Sequence, residues 1–134
     1  LNVTCELFNA EKHYEIVGSW WTAAGWPVLP LSHLSDIGQV ISVDGVPAVC
    51  GWIFQTDSAW CLFEFVVANP EVRKAPRALA MSTLIGWAKA AAEDMGFKNV
   101  FSSISNPMLI KRYEREGFKV TDNGMTNLVY KVEA

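Results

Sequence analysis

Three groups of residues in this 134-residue chain have the types and spacing to do chemistry. Glu64 is the one charge in the apolar run AWCLFEFVVA, residues 59–68. A carboxylate there must reach solvent or an ion partner, or carry a raised pKa. In the last case it is suited to take a proton from an amine, directly or through water. A surface-facing glutamate beside a sheet opening accounts for it equally well. The second group lies in SNPMLIKRYEREGF, residues 105–118, where Tyr113 follows Asn106 by seven positions. On a helix that is about two turns along one face, so both side chains can look into one cleft. A phenol so placed can protonate a thiolate or alkoxide leaving group. The simpler account is a helix started by Ser105 or Asn106 with a tyrosine in the core.

The third group is VRKAPRALA, residues 72–80, which sets Arg73, Lys74 and Arg77 within five positions of a chain whose net charge is −3. A strand ending at Ala68 and a helix beginning near Pro76 would leave unpaired N–H groups there. Those donors and the helix dipole favour an anion. Against that, the stretch has no glycine, and Pro76 lacks the N–H a phosphate would use. A solvated helix start is the alternative. Further along the aromatic inventory, His13, Trp20, Trp21 and Trp26 belong to the first helix and its exit. Adjacent tryptophans point to different sides of a helix, so one of Trp20 and Trp21 is expected in the core and the other on a pocket wall or partner surface. His13 is read as an ordinary exposed histidine. The sequence shows no nucleophile–histidine–acid arrangement, no metal cluster and no dinucleotide fingerprint.

These groups must be held by elements that the apolar pattern outlines. Residues 2–8 suit a short strand, and residues 11–24 carry Tyr14, Val17, Trp20, Trp21 and Ala24 at helical spacing before Gly25. Pro27 and Pro30 interrupt regular structure. Residues 39–43 and 46–56 flank the hairpin signal Asp44-Gly45, and Asp57-Ser58 turns the chain into the run 59–68. That run, almost unbroken in its apolar character, is expected to be buried on both faces. A long helix over 77–95 repeats Ala80, Leu84, Trp87, Ala91 and Met95 and ends at Gly96. A short strand at 98–102, a helix over 106–116 with Pro107 in its first turn, and closing strands at 118–121 and 127–132 complete the order. One mixed sheet with helices on both faces satisfies it, an α/β or α+β single domain.

Bulk composition narrows the classes. At 51% hydrophobic the chain can bury a core without staples, and at 19% charged it lacks the makeup of a disordered arm. Its acidic balance argues against a nucleic-acid partner, and no run is long enough to span a membrane. Cys5, Cys50 and Cys61 match no zinc spacing. In the expected hairpin Cys50 lies near Phe65 and Cys61 near Phe54, too far apart to bridge. The three are read as reduced thiols of an intracellular, cytoplasmic protein. Leu1 in place of Met leaves open residues upstream.

Taken together, these pieces resemble the GCN5-related N-acetyltransferase (GNAT) superfamily over nearly the whole chain. The most specific part is the succession of apolar strand, basic turn, long helix and short strand, followed by Asn106, Tyr113 and Gly117-Phe118. The resemblance implies a single GNAT-like domain over residues 1–134 with a mixed, mostly antiparallel central sheet. It implies acetyl-CoA as cosubstrate and transfer of its acetyl group to a primary amine by direct attack in a ternary complex. Backbone groups around Phe65, Val66 and Val67 would pair with the pantetheine arm and polarise the thioester carbonyl. The family's phosphate turn, Gln/Arg-x-x-Gly-x-Gly/Ala, aligns with Arg73, Lys74, Ala75, Pro76, Arg77 and Ala78, with proline in place of glycine. Asn106 matches a residue on the cofactor arm, Tyr113 the acid that protonates the departing thiolate, and Glu64 the strand where some members keep a base. The acceptor, a small amine or a protein, is expected between Trp20, Trp21, Trp26, Glu64 and a final hairpin near Met125. The compact length and the closing GMTNL, residues 124–128, resemble short acetyltransferase-like proteins of phage genomes, which would put this one in host cytoplasm. A non-catalytic module of the same fold, in a virion or against a host protein, is the alternative that Pro76 favours. A homodimer is left open.

Overall fold

A computed structural model, which describes residues 1–133, orders the chain as β1 (Val3–Leu7), α1 (Ala10–Ala23), β2 (Ile37–Val43), β3 (Val46–Phe54), β4 (Trp60–Ala68), α2 (Lys74–Asp94), β5 (Asn99–Phe101) and α3 (Pro107–Arg115). The strands form one sheet in chain order. β1 to β4 are antiparallel neighbours, and β5 joins β4 in parallel after the α2 crossover. Asp44 and Gly45, at φ +50° and +81°, make the tight turn between β2 and β3 that their types predict.

Alternation along the strands sends side chains to two cores. On one face Ile41, Val49, Ile53 and Phe63 meet Ala80, Leu84, Ile85 and Ala88 of α2, with Tyr113 of α3 against them. On the other face Val40, Cys50, Trp52 and Val67 meet Val17, Trp20 and Trp21 of α1. Both tryptophans of the adjacent pair are buried, contrary to the expectation that one would stay outside. The reason is residues 26–34, which fold back over the outer side of α1. Tyr14 donates its hydroxyl hydrogen to the Leu29 carbonyl (2.6 Å), and Leu29 and Leu34 join the same core. His13 is buried too, not exposed. Its Nδ1 accepts the Asn9 N–H (2.9 Å), so the ring hydrogen lies on Nε2 and faces Glu6 (3.1 Å).

Other expectations fail for physical reasons. Residues 118–121 and 127–132 form no strand. β5 is only three residues long, and no described strand pairs with 127–132, whose Leu128, Val129, Tyr130 and Val132 stay exposed. The final hairpin near Met125 is therefore absent. Cys50 stands opposite Val67 and Phe54 opposite Leu62: the register is already one residue off the expected one next to the turn, and a bulge between Cys50 and Trp52 moves it by one more. Cys50 and Cys61 lie in the two different cores and all three cysteines are free. Burial also raises the Cys50 thiol pKa, which makes it a poor nucleophile.

Two glycines are required by close approach. A Cβ on Gly38 would come within 2.4 Å of Trp52 Nε1 and 2.9 Å of Phe8 Cβ. A Cβ on Gly51 would come within 2.9 Å of Phe63 and 3.0 Å of Val66. Gly38→Ala is therefore expected to cost about 1–3 kcal/mol of stability by overpacking, read as a lower midpoint in urea with an unchanged slope.

Candidate active site

β4 and β5 hold together only over residues 60–62, where Trp60, Cys61 and Leu62 pair with Asn99, Val100 and Phe101. Beyond Leu62 the chains separate. Ser102 donates its hydroxyl to the Phe63 carbonyl (2.7 Å), and the Ser103 N–H donates to Glu64 Oε1 (2.7 Å), so side chains now bridge what a ladder bridged before. The register with β3 passes from Trp52–Glu64 to Cys50–Val67, leaving Phe65 and Val66 opposite Gly51 alone. Phe65 takes φ +60°, the left-handed region that a bulge of this kind needs. Past the bulge, β4 keeps β3 on one side. Its other edge, over residues 64–68, presents N–H and C=O groups with no strand beside them.

That edge forms one wall of a cleft of about 600 Å³, within the usual range of ligand sites. Phe63, Val66, Met81, Leu109 and Tyr113 line it from the α2 side, and Ala24, Trp26 and Phe65 from the α1 end. Ser103, Ser105 and Asn106 close the wall opposite β4. The run 59–68 is thus not buried on both faces: Phe65 is exposed where the cleft opens.

Tyr113 is buried, stacked on Phe63 at 6.0 Å and edge-on to Phe118 at 4.9 Å. Burial raises its pKa, the Ser102 side chain lowers it partly, and the Glu64 charge raises it again. The phenol therefore keeps its proton throughout the neutral range. Glu64 is pushed up to about 7 by burial, against the Ser103 N–H that favours its charged form. One cleft thus holds a carboxyl that titrates near neutral pH and a phenol that stays protonated there.

Asn106 lines the same cleft, but its Oδ1 accepts the N–H groups of Met108 (2.9 Å) and Leu109 (3.3 Å) as the α3 cap. Both sequence readings of this residue hold at once: it starts the helix and it faces the cleft. The basic stretch lies elsewhere. α2 begins at Lys74 rather than near Arg77, so Arg73 is its cap residue and Pro76 occupies the third helical position, buried. A proline there removes one of the N–H groups a helix start leaves free, while those of Lys74 and Ala75 remain. Arg73, Lys74, Ala75, Arg77 and Ala78 do not line the cleft, and Arg77 Nη1 donates to the Val72 carbonyl (3.1 Å). Of the expected acceptor wall, Trp26 and Glu64 are present and Trp20, Trp21 and Met125 are not. The bridges that Ser102 and Ser103 make to β4 have no counterpart in the sequence analysis. Serines are common in loops, and only the separation of β5 from β4 gives these two a role.

No family model matches the chain, and no curated protein does. Solved structures do match. Ribosomal-protein-S18-alanine N-acetyltransferase from Escherichia coli superposes with a TM-score of 0.73 at 14% identity, over 90% of this chain and 80% of that one. An acetyltransferase from Trypanosoma brucei gives 0.65 at 16%, over 96% of this chain and 100% of that one. N-acetylglutamate synthase from Neisseria gonorrhoeae, complexed with coenzyme A and N-acetyl-glutamate, gives 0.68 at 12% over 91% of this chain. There the chain spans only 29% of the neighbour's length. This protein has the GNAT fold.

The Glu64 environment has a consequence for stability. A carboxyl whose folded pKa of about 7 exceeds its ordinary 4.5 favours the folded state at low pH. That contribution is lost as pH rises from about 4.5 and is gone above about 7. Glu64→Gln keeps an acceptor for Ser103 and removes the charge. Its melting temperature should exceed that of the parent at pH 8, with the gap narrowing towards pH 4.5.

Proposed function

We propose that this chain is an acetyl-CoA-dependent N-acetyltransferase whose acceptor is a primary amine. The observation that carries the reading is the separation of β4 from β5, which sets an unpaired strand edge, Glu64 and Tyr113 around one cleft. The likeness in fold to acetyltransferases, among them one crystallised with coenzyme A, supports it.

The residues fit such a cosubstrate. A pantetheine arm is an extended chain with amide donors and acceptors, and the free edge of residues 65–67 offers the complementary set. The start of α2, with the N–H groups of Lys74 and Ala75 and the charges of Arg73, Lys74 and Arg77, would take the phosphates. Acetyl-CoA supplies an activated acyl carbonyl on a thiol leaving group. The protein's part is to hold that carbonyl against strand N–H groups and to bring the amine within reach. Glu64, as carboxylate, takes the proton that the amine loses when its nitrogen bonds the carbonyl carbon. Tyr113 delivers a proton to the sulfur as the carbon–sulfur bond breaks. The buried proline and the tie from Arg77 to Val72 favour a second reading, a binding module of this fold with a weakened phosphate site.

Calorimetric titration separates the two. The parent protein is expected to bind acetyl-CoA, and Arg73→Ala with Arg77→Ala should weaken binding about tenfold or more, the effect of losing one charge-assisted contact. Absence of binding at about 1 mM cofactor, a level that still detects weak ligands, would leave only the binding module. In a panel of primary amines, Tyr113→Phe should lower turnover about 10²–10⁴-fold with acetyl-CoA affinity unchanged. Equal turnover would remove Tyr113 from the chemistry.

A further inference from the structure

The α1 end of the cleft carries a chemical bias of its own. Trp26 and Phe65 both line it there, each with a large part of its surface open (53% and 40%). Each is carried on an ordered backbone. α1 ends in a Schellman motif, in which Gly25 at φ +82° donates to the Thr22 carbonyl (3.0 Å) and Trp26 to the Trp21 carbonyl (2.9 Å). Pro27 follows directly and stiffens the exit. Phe65 is held by the bulge, its ring edge-on to Phe54 at 5.6 Å. The backbone that carries Trp26 and the ring of Phe65 are thus set before any ligand arrives, which lowers the entropy lost on binding. Between them and the reacting end lies Glu64, and no lysine, arginine or histidine lines the cleft.

We infer that the acceptor is a small arylalkyl primary amine without a carboxylate, its ring on Trp26 and Phe65 and its nitrogen at Glu64. A cationic amine approaching Glu64 is attracted to it, and an aromatic body replaces water on two aromatic faces. An α-carboxylate would arrive beside Glu64 with no cation to pair it, and like charges brought together in a partly buried site are rejected. A polypeptide acceptor fits less well, because its following amide groups need partners and this end offers mainly ring surface.

This inference rests on the acetyltransferase reading, so acetyl-CoA affinity is measured first and separately. Phenethylamine, phenylalaninamide, phenylalanine, putrescine and a peptide with N-terminal phenylalanine are then titrated into the protein with and without coenzyme A. Acetylation of each is followed in parallel. Phenethylamine is expected to bind, and to react where acetyl-CoA binds, more than about tenfold better than phenylalanine. Phenylalaninamide, which restores bulk without charge, should fall between them. Trp26→Ala should weaken phenethylamine and leave coenzyme A affinity unchanged. Preference for phenylalanine, putrescine or the peptide overturns the inference, as does binding of none of the five. If coenzyme A fails to bind while phenethylamine is still preferred, the acceptor site stands and the transferase reading falls.

Discussion

Phe65 holds φ at +60° opposite Gly51, where two residues of β4 face one of β3. A bulky residue in the left-handed region costs on the order of 1–3 kcal/mol, and it persists only when its surroundings over-determine it. They do so here. Gly51 has no Cβ, so Phe63 and Val66 close over it and Leu84 of α2 presses on the same spot. The extra residue changes the phase of β4, so that Val66 joins the α2 core and Val67 the α1 core. It also bends the strand away from the line of β5. Without that bend β5 would continue its ladder and no backbone edge would be free. The cleft is therefore a property of the sheet, and α3 and the loop before it follow from it.

The rest of the molecule keeps this opening rigid. Trp52 sits beneath α1, against Trp21 at 5.7 Å and Phe8 at 5.1 Å, in space that Gly38 leaves vacant across the strand pair. That block anchors the end of α1 from which Trp26 extends to the cleft. On the other face α2 and α3 are joined through Arg112 Nη1 and Ser82 Oγ (3.1 Å), and Lys89 donates to the Glu116 carbonyl (2.7 Å). Tyr113 is consequently held from three sides: by Phe63, Phe118 and the helix it belongs to. In the proposed reaction a phenol held this way is already placed to give up its proton.

Much of this was legible in the residues. Period and turn chemistry placed all three helices and the five strands to within a few positions, because Gly25, Asp44-Gly45, Gly96 and Gly117 mark chain reversals that few other residues allow. Glu64 and Tyr113 stood out because a charge in an apolar strand and a tyrosine two turns after a cap are local facts. What stayed hidden was relational. The bulge depends on which residue faces Gly51, and the burial of both adjacent tryptophans on a segment with two prolines that folds back against Tyr14 and Gly18. Lys74, Ala75 and Pro76 read as a turn because proline usually opens a helix, whereas here it comes third.

The central claim is that the free edge of β4 beside the Phe65 bulge receives the cosubstrate arm. Amide hydrogen exchange, followed residue by residue with and without acetyl-CoA, tests it most directly. Amides within residues 65–67 that face away from β3 should exchange rapidly in the free protein, as unpaired groups do, and slow markedly when acetyl-CoA is added. Acetyl-CoA binding that leaves their exchange unchanged, while protecting amides elsewhere, would contradict the account.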